Sequence, residues 1–106
     1  MDTDVAARCL DALGSATRLE IYRLLVQVGP GGAVVGDLQA RLGIPASTLS
    51  HHLSRLVQVG LISQERQSRN LVCRANYAHM NALLAYLSDN CCEGLEMGGC
   101  DAAGAA

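Results

Sequence analysis

The chain has 106 residues, half of them hydrophobic, with three Tyr and neither Phe nor Trp, which gives one small domain with an aliphatic core and no apolar run able to span a membrane. A net charge of −2 would speak against nucleic acid, yet the eight basic residues, all Arg, lie between Val5 and Ser88 against only Asp11, Glu20, Asp37 and Glu65, a local surplus of four positive charges. The N-terminus lacks a basic-then-apolar leader, so a cytoplasmic protein is expected.

Val5 to Leu13 predicts a short amphipathic helix with Val5, Cys9, Ala12 and Leu13 on one side. Ser15 can cap a second helix from Thr17 to Val28, which is apolar almost all round and therefore central. Gly29-Pro30-Gly31-Gly32 breaks the chain, and Val34-Val35 leads into a short helix, Asp37 to Leu42, closed by Gly43. Next, Leu49, Leu53, Leu56 and Gly60 recur at spacings of three and four, which predicts a helix ending at a left-handed glycine. Leu61 to Arg66 and Leu71 to Ala75 read as two strands around a polar, basic tip, Gln67 to Asn70. Tyr77 to Asn90 predicts a last helix with a stripe of Met80, Leu83, Leu84 and Leu87.

The fourth predicted helix carries an unusual polar face: Ser47, Thr48, Ser50, His51, Ser54, Arg55 and Gln58. A face meeting only water would favour Glu and Lys, because Ser and Thr are mediocre helix formers. Two helices joined by a tight glycine turn, the second offering small polar groups at its front end, form a helix-turn-helix that can seat in a major groove. An ordinary helical hairpin is the alternative. The strand pair that follows turns the unit into a winged helix, with the tip arginines placed to meet phosphate or the minor groove.

Ser50-His51-His52-Leu53, then Gly60-Leu61, then a charged segment from Arg66 to Arg74 resembles the ArsR/SmtB family of bacterial repressors, from about Val5 to the last cysteine. The resemblance implies a mainly α fold with a small β-hairpin (α+β), a homodimeric winged helix-turn-helix paired through its first and last helices, bound to double-stranded operator DNA. The expected DNA contacts are Ser47, Thr48, Ser50, His51 and Arg55 on the helix, and Arg66 and Arg69 on the wing. Three features depart from the family. A Cys-Val-Cys motif falls on Val34-Val35-Gly36; of a zinc-type ligand set on the last helix only His79 matches; and a Ser-Gln pair is replaced by Pro45-Ala46.

Five cysteines in a reducing compartment argue for ligands or free thiols rather than disulfides. Cys91, Cys92 and Cys100 lie within ten residues, and Gly94, Gly98 and Gly99 let the backbone bend so that the third thiol returns to the pair. Three thiols without a neighbouring His or fourth Cys suit a three-coordinate centre better than tetrahedral zinc. Trivalent arsenic, or antimony, fits as effector, and no organic cofactor is implied. Asp89, Glu93, Glu96 and Asp101 make an acidic setting that suits neutral arsenous acid, whereas a peroxide sensor relies on basic neighbours. The resemblance here narrows to arsenic-responsive repressors with an adjacent cysteine pair after the last helix. The expectation is a winged-helix DNA-binding and dimerisation domain over residues 1–90 and a flexible tail, 91–106, bearing the thiols. Cys9 and Cys73 read as small buried hydrophobes, and His52 as packed. Competing readings are a redox-switch repressor, an organoarsenical sensor using only Cys91 and Cys92, and a thiol-based carrier that does not touch DNA. Nothing in the chain suggests an enzyme.

Overall fold

The computed structural model describes residues 1–97. Helix α1 (Thr3–Leu13) starts earlier than its apolar pattern because Asp2 caps it, the carboxylate accepting from the Val5 N–H at 2.8 Å. Ala6, Cys9 and Ala12 form its buried side. Helix α2 (Ala16–Val28) follows Ser15, whose hydroxyl accepts from the Arg18 N–H. It is central as expected, packing on α1, but it buries one side only: Ile21, Tyr22 and Leu25 are inside, while Leu19 and Val28 remain 43% and 45% exposed.

Ala33–Val34 forms strand β1, so the expected two-stranded hairpin is the larger part of a three-stranded antiparallel sheet in the order β1-β3-β2. Two residues are too few to show a period, and the glycine-rich connector before them hides the pairing. That connector lies flush on β3: a Cβ at Gly32 would sit 2.5 Å from the Cys73 carbonyl oxygen, so only glycine fits.

Helix α3 (Val35–Leu42) ends at Gly43, whose left-handed φ of 66° lets its N–H reach the Gln39 carbonyl at 2.8 Å. A short turn then starts α4 (Ala46–Gln58). Leu49, Leu53 and Leu56 are at most 1% exposed, each contributing about 2 kcal/mol of hydrophobic burial. Gly60, at φ 80°, follows the helix end, as the spacing predicted.

Strands β2 (Ile62–Gln67) and β3 (Asn70–Ala75) pair from Ile62↔Ala75 to Gln67↔Asn70, which leaves only Ser68 and Arg69 as the wing tip. Helix α5 (Tyr77–Ser88) is capped by Asn76, whose side-chain oxygen accepts from the His79 N–H. It stops two residues short of the expected end, because Asp89 is extended and Asn90 adopts a φ of 59°. The core is aliphatic, with Ile21, Leu25, Leu38, Leu49, Leu53, Leu56 and Leu61 fully buried. Among the described residues no helix is long and apolar enough to cross a membrane.

Candidate nucleic-acid interface and thiol site

Once Leu49, Leu53 and Leu56 are committed to the core, helical geometry sends the other side of α4 outward. Ser47, Thr48, Ser50, His51, Ser54 and Gln58 are all exposed. Pro45 precedes the helix and supplies no side-chain cap, so the first-turn N–H groups are available to an anion such as a DNA phosphate. Ser54 and Gln58, which belong to the polar face but not to the expected contacts, line a groove with Ser50 and Val57 against Gln64 and Leu71 of the wing. The face is therefore continuous with the sheet.

The opposite edge of α4 meets α1 and α2. Arg18 donates from Nε to the Ala12 carbonyl at 2.6 Å, and its guanidinium lies 3.4 Å from His52 Nδ1. Burial, the Arg18 charge and the neighbouring His51 hold the His52 imidazole below its ordinary pKa, so it accepts from Arg18 as a neutral ring. His52 is packed, as its position on the apolar side indicated. Arg55 is only part-exposed, and its guanidinium forms an ion pair with Asp11 at 3.2 Å. That partner comes from a distant turn of the chain, so spacing along α4 gave no sign of it.

On the wing, the Glu65 carboxylate accepts from Gln67 at 2.9 Å and from Arg74 at 2.8 Å, which holds it below the usual carboxylate range. Arg74 is thus committed to its cross-strand neighbour. Alternation along β2 puts Arg66 on the same face as Gln64, the face turned to α4, and Arg69 stands at the tip. Both are exposed, and among the described residues neither enters an ion pair.

Cys9 and Cys73 are fully buried, and burial pushes both thiols above their ordinary pKa. Cys9 Sγ contacts His79 Nε2 at 3.4 Å and the Val59 carbonyl at 3.5 Å, so the one residue that matched a zinc-type set packs inside the protomer. Gln64 donates to Cys73. Cys91 and Cys92 are exposed, with their sulfurs 3.5 Å apart. Asn90 and Cys92 adopt left-handed φ values of 59° and 60°, so the backbone bends on either side of Cys91 after α5. Sulfur donors lie about 2.3 Å from a soft ion such as zinc, so two donors on one centre can be up to about 4.6 Å apart. The 3.5 Å separation is within that limit, and among the described residues no third His, Cys, Asp or Glu joins the pair as a ligand group. Cys100, like the rest of the tail beyond Met97, lies outside the described residues.

The Helix-turn-helix domain family matches residues 13–65, which span α2, the helix-turn-helix and most of β2. The HTH-type transcriptional regulator YgaV of Escherichia coli is 32% identical over 87 residues, covering 82% of this chain and 86% of the relative. A Halobacterium salinarum protein named for repression of an arsenical resistance operon, ArsR2, is 34% identical over 70 residues, 63% of this chain and 58% of its own. The homodimeric winged helix-turn-helix DNA-binding domain of an ArsR-family candidate from Mycobacterium bovis superposes with a TM-score of 0.64 at 28% identity, covering 89% of this chain and 87% of that one.

The chain belongs to the ArsR family of winged-helix transcriptional regulators.

Its helix-turn-helix is a DNA-binding unit, and its relatives regulate transcription rather than catalyse reactions. In this ArsR-family regulator the exposed face of α4 and the wing form one surface, and the exposed thiols follow α5 along the chain.

Proposed function

We propose that this regulator is a homodimeric repressor of operator DNA, released when trivalent arsenic or antimony bonds Cys91, Cys92 and Cys100. The observation that carries the reading is the pair of exposed sulfurs 3.5 Å apart at the end of α5. In arsenous acid each hydroxyl can be exchanged for a thiol, forming an As–S bond and releasing water, so three thiols take up one arsenic with no change in charge. Asp89, Glu93 and Glu96 stand beside the pair, a setting compatible with a neutral product. The name of the Halobacterium relative supports the arsenical reading.

The dimer surface is the outer side of α1 and α5, where Leu10, Leu84 and Leu87 are 43%, 56% and 55% exposed. Leucines left in water on a packed helix pair are matched by a second copy, and the Mycobacterium neighbour is itself a homodimer. Because the thiols follow directly on α5, their capture of a metalloid bears on the dimer surface and thereby on the spacing of the two α4 helices, about 34–36 Å on B-DNA. A coupling of about 1–3 kcal/mol is enough to weaken operator binding about 5- to 150-fold.

Electrophoretic mobility shift on the regulator's own promoter fragment tests the reading: arsenite releases the wild type, whereas Cys91→Ser and Cys92→Ser keep DNA affinity and lose the response. A normal response in both variants sinks the site. Loss of response in those two with retention in Cys100→Ser favours a two-thiol site for a methylated arsenical. Release by oxidant without metalloid favours a redox switch.

A further inference from the structure

We propose that Asp11 lowers sequence-independent DNA affinity by holding Arg55 in an ion pair that a phosphate must displace. The inference rests on α4 being the DNA-contacting helix. Arg55 is the only basic residue of that helix, and a cation there attracts any phosphate regardless of base sequence. Its partner, Asp11, is 78% exposed and lies in the last turn of α1, on the side of α4 away from the wing.

The placement is built into the fold. Arg18 grips the Ala12 carbonyl at 2.6 Å and reaches His52 on α4, so the residue next to Asp11 is tied to the DNA-contacting helix through a second side chain. Asp11 is therefore held within reach of Arg55 at 3.2 Å without being drawn into the core. A bare duplex offers phosphates everywhere, and each encounter with Arg55 has to break this pair. On the proposed reading an operator would add contacts to exposed Ser47, His51 and Ser54, which do not depend on that cation. The carboxylate thus penalises phosphate contact more than base contact.

Fluorescence anisotropy with a labelled duplex of arbitrary sequence, about three helical turns long, tests this across a salt series. Asp11→Asn tightens binding about two- to fivefold per recognition helix, the range of an exposed ion pair, and steepens the slope of log affinity against log salt by about 0.9 for each phosphate gained. In an Arg55→Gln background the same Asp11→Asn change has no further effect on the slope. If Asp11→Asn leaves affinity and slope unaltered in the wild-type background, or steepens the slope equally without Arg55, the inference is overturned, the second outcome meaning that Asp11 merely repels DNA at a distance. Failure of the wild type to bind any duplex at low salt would instead remove α4 as the contacting helix, and the inference with it. Thermal melts confirm that the variants fold, since both side chains lie at the surface.

Discussion

His52 shows how a single side chain joins fold to surface. It sits on the margin of α4's apolar stripe, half-buried, and accepts a hydrogen bond from Arg18 that it can accept only as a neutral imidazole. Protonation would replace that bond with two like charges. Because the folded-state pKa lies below the ordinary 6.5, the unfolded chain binds the proton more readily than the folded one. Stability from this group is complete above pH 6.5 and is lost as the pH falls below it toward the depressed folded value. Melting temperature should therefore decline as the pH falls below the ordinary 6.5, and His52→Asn should flatten that decline. An unchanged pH profile in the variant would place the proton uptake elsewhere.

Among the elements, the wing separates arginines by what they already touch. Arg74 is engaged by Glu65, whereas Arg66 and Arg69 are exposed, one on the sheet face toward α4 and the other at the tip. Phosphate contact releases counterions, so each lost contact lowers the salt slope by about 0.9. Arg66→Ala and Arg69→Ala should each weaken binding to any duplex and flatten that slope, while Arg74→Ala should leave it nearly unchanged. Equal slopes for all three would mean that the wing does not meet the backbone in this manner. Ser47, His51 and Ser54 occupy the middle of the α4 face, and their loss should alter base preference with little effect on salt dependence.

For the molecule as a whole, the apolar surface of α5 is divided. Leu83 is 5% exposed and belongs to the protomer core, whereas Leu84 and Leu87 face outward. Leu84→Asp with Leu87→Asp should convert the proposed dimer to monomer in sedimentation velocity and keep the helical circular dichroism, because neither side chain supports the inner packing. Exposed positions of this kind change protomer stability by about 0.5 kcal/mol or less. A dimer that survives both charges would move the interface elsewhere.

Leucine spacing in α4, the polar run beside it, the Gly43 turn and the strand pair beyond Gly60 were legible in the sequence, because helical and strand periods are local properties of the chain. So was the buried character of Cys9 and Cys73. Strand β1 was not, since two residues carry no period and their partner lies some forty residues further on. Nor was the pairing of Arg55 with Asp11, or the division of α5 between core and surface: those depend on which faces the fold brings together. Local pattern determined the five helices and the wing hairpin; packing alone decided that β1 forms, which apolar residues of α2 and α5 stay outside, and which outward polar groups already have a partner.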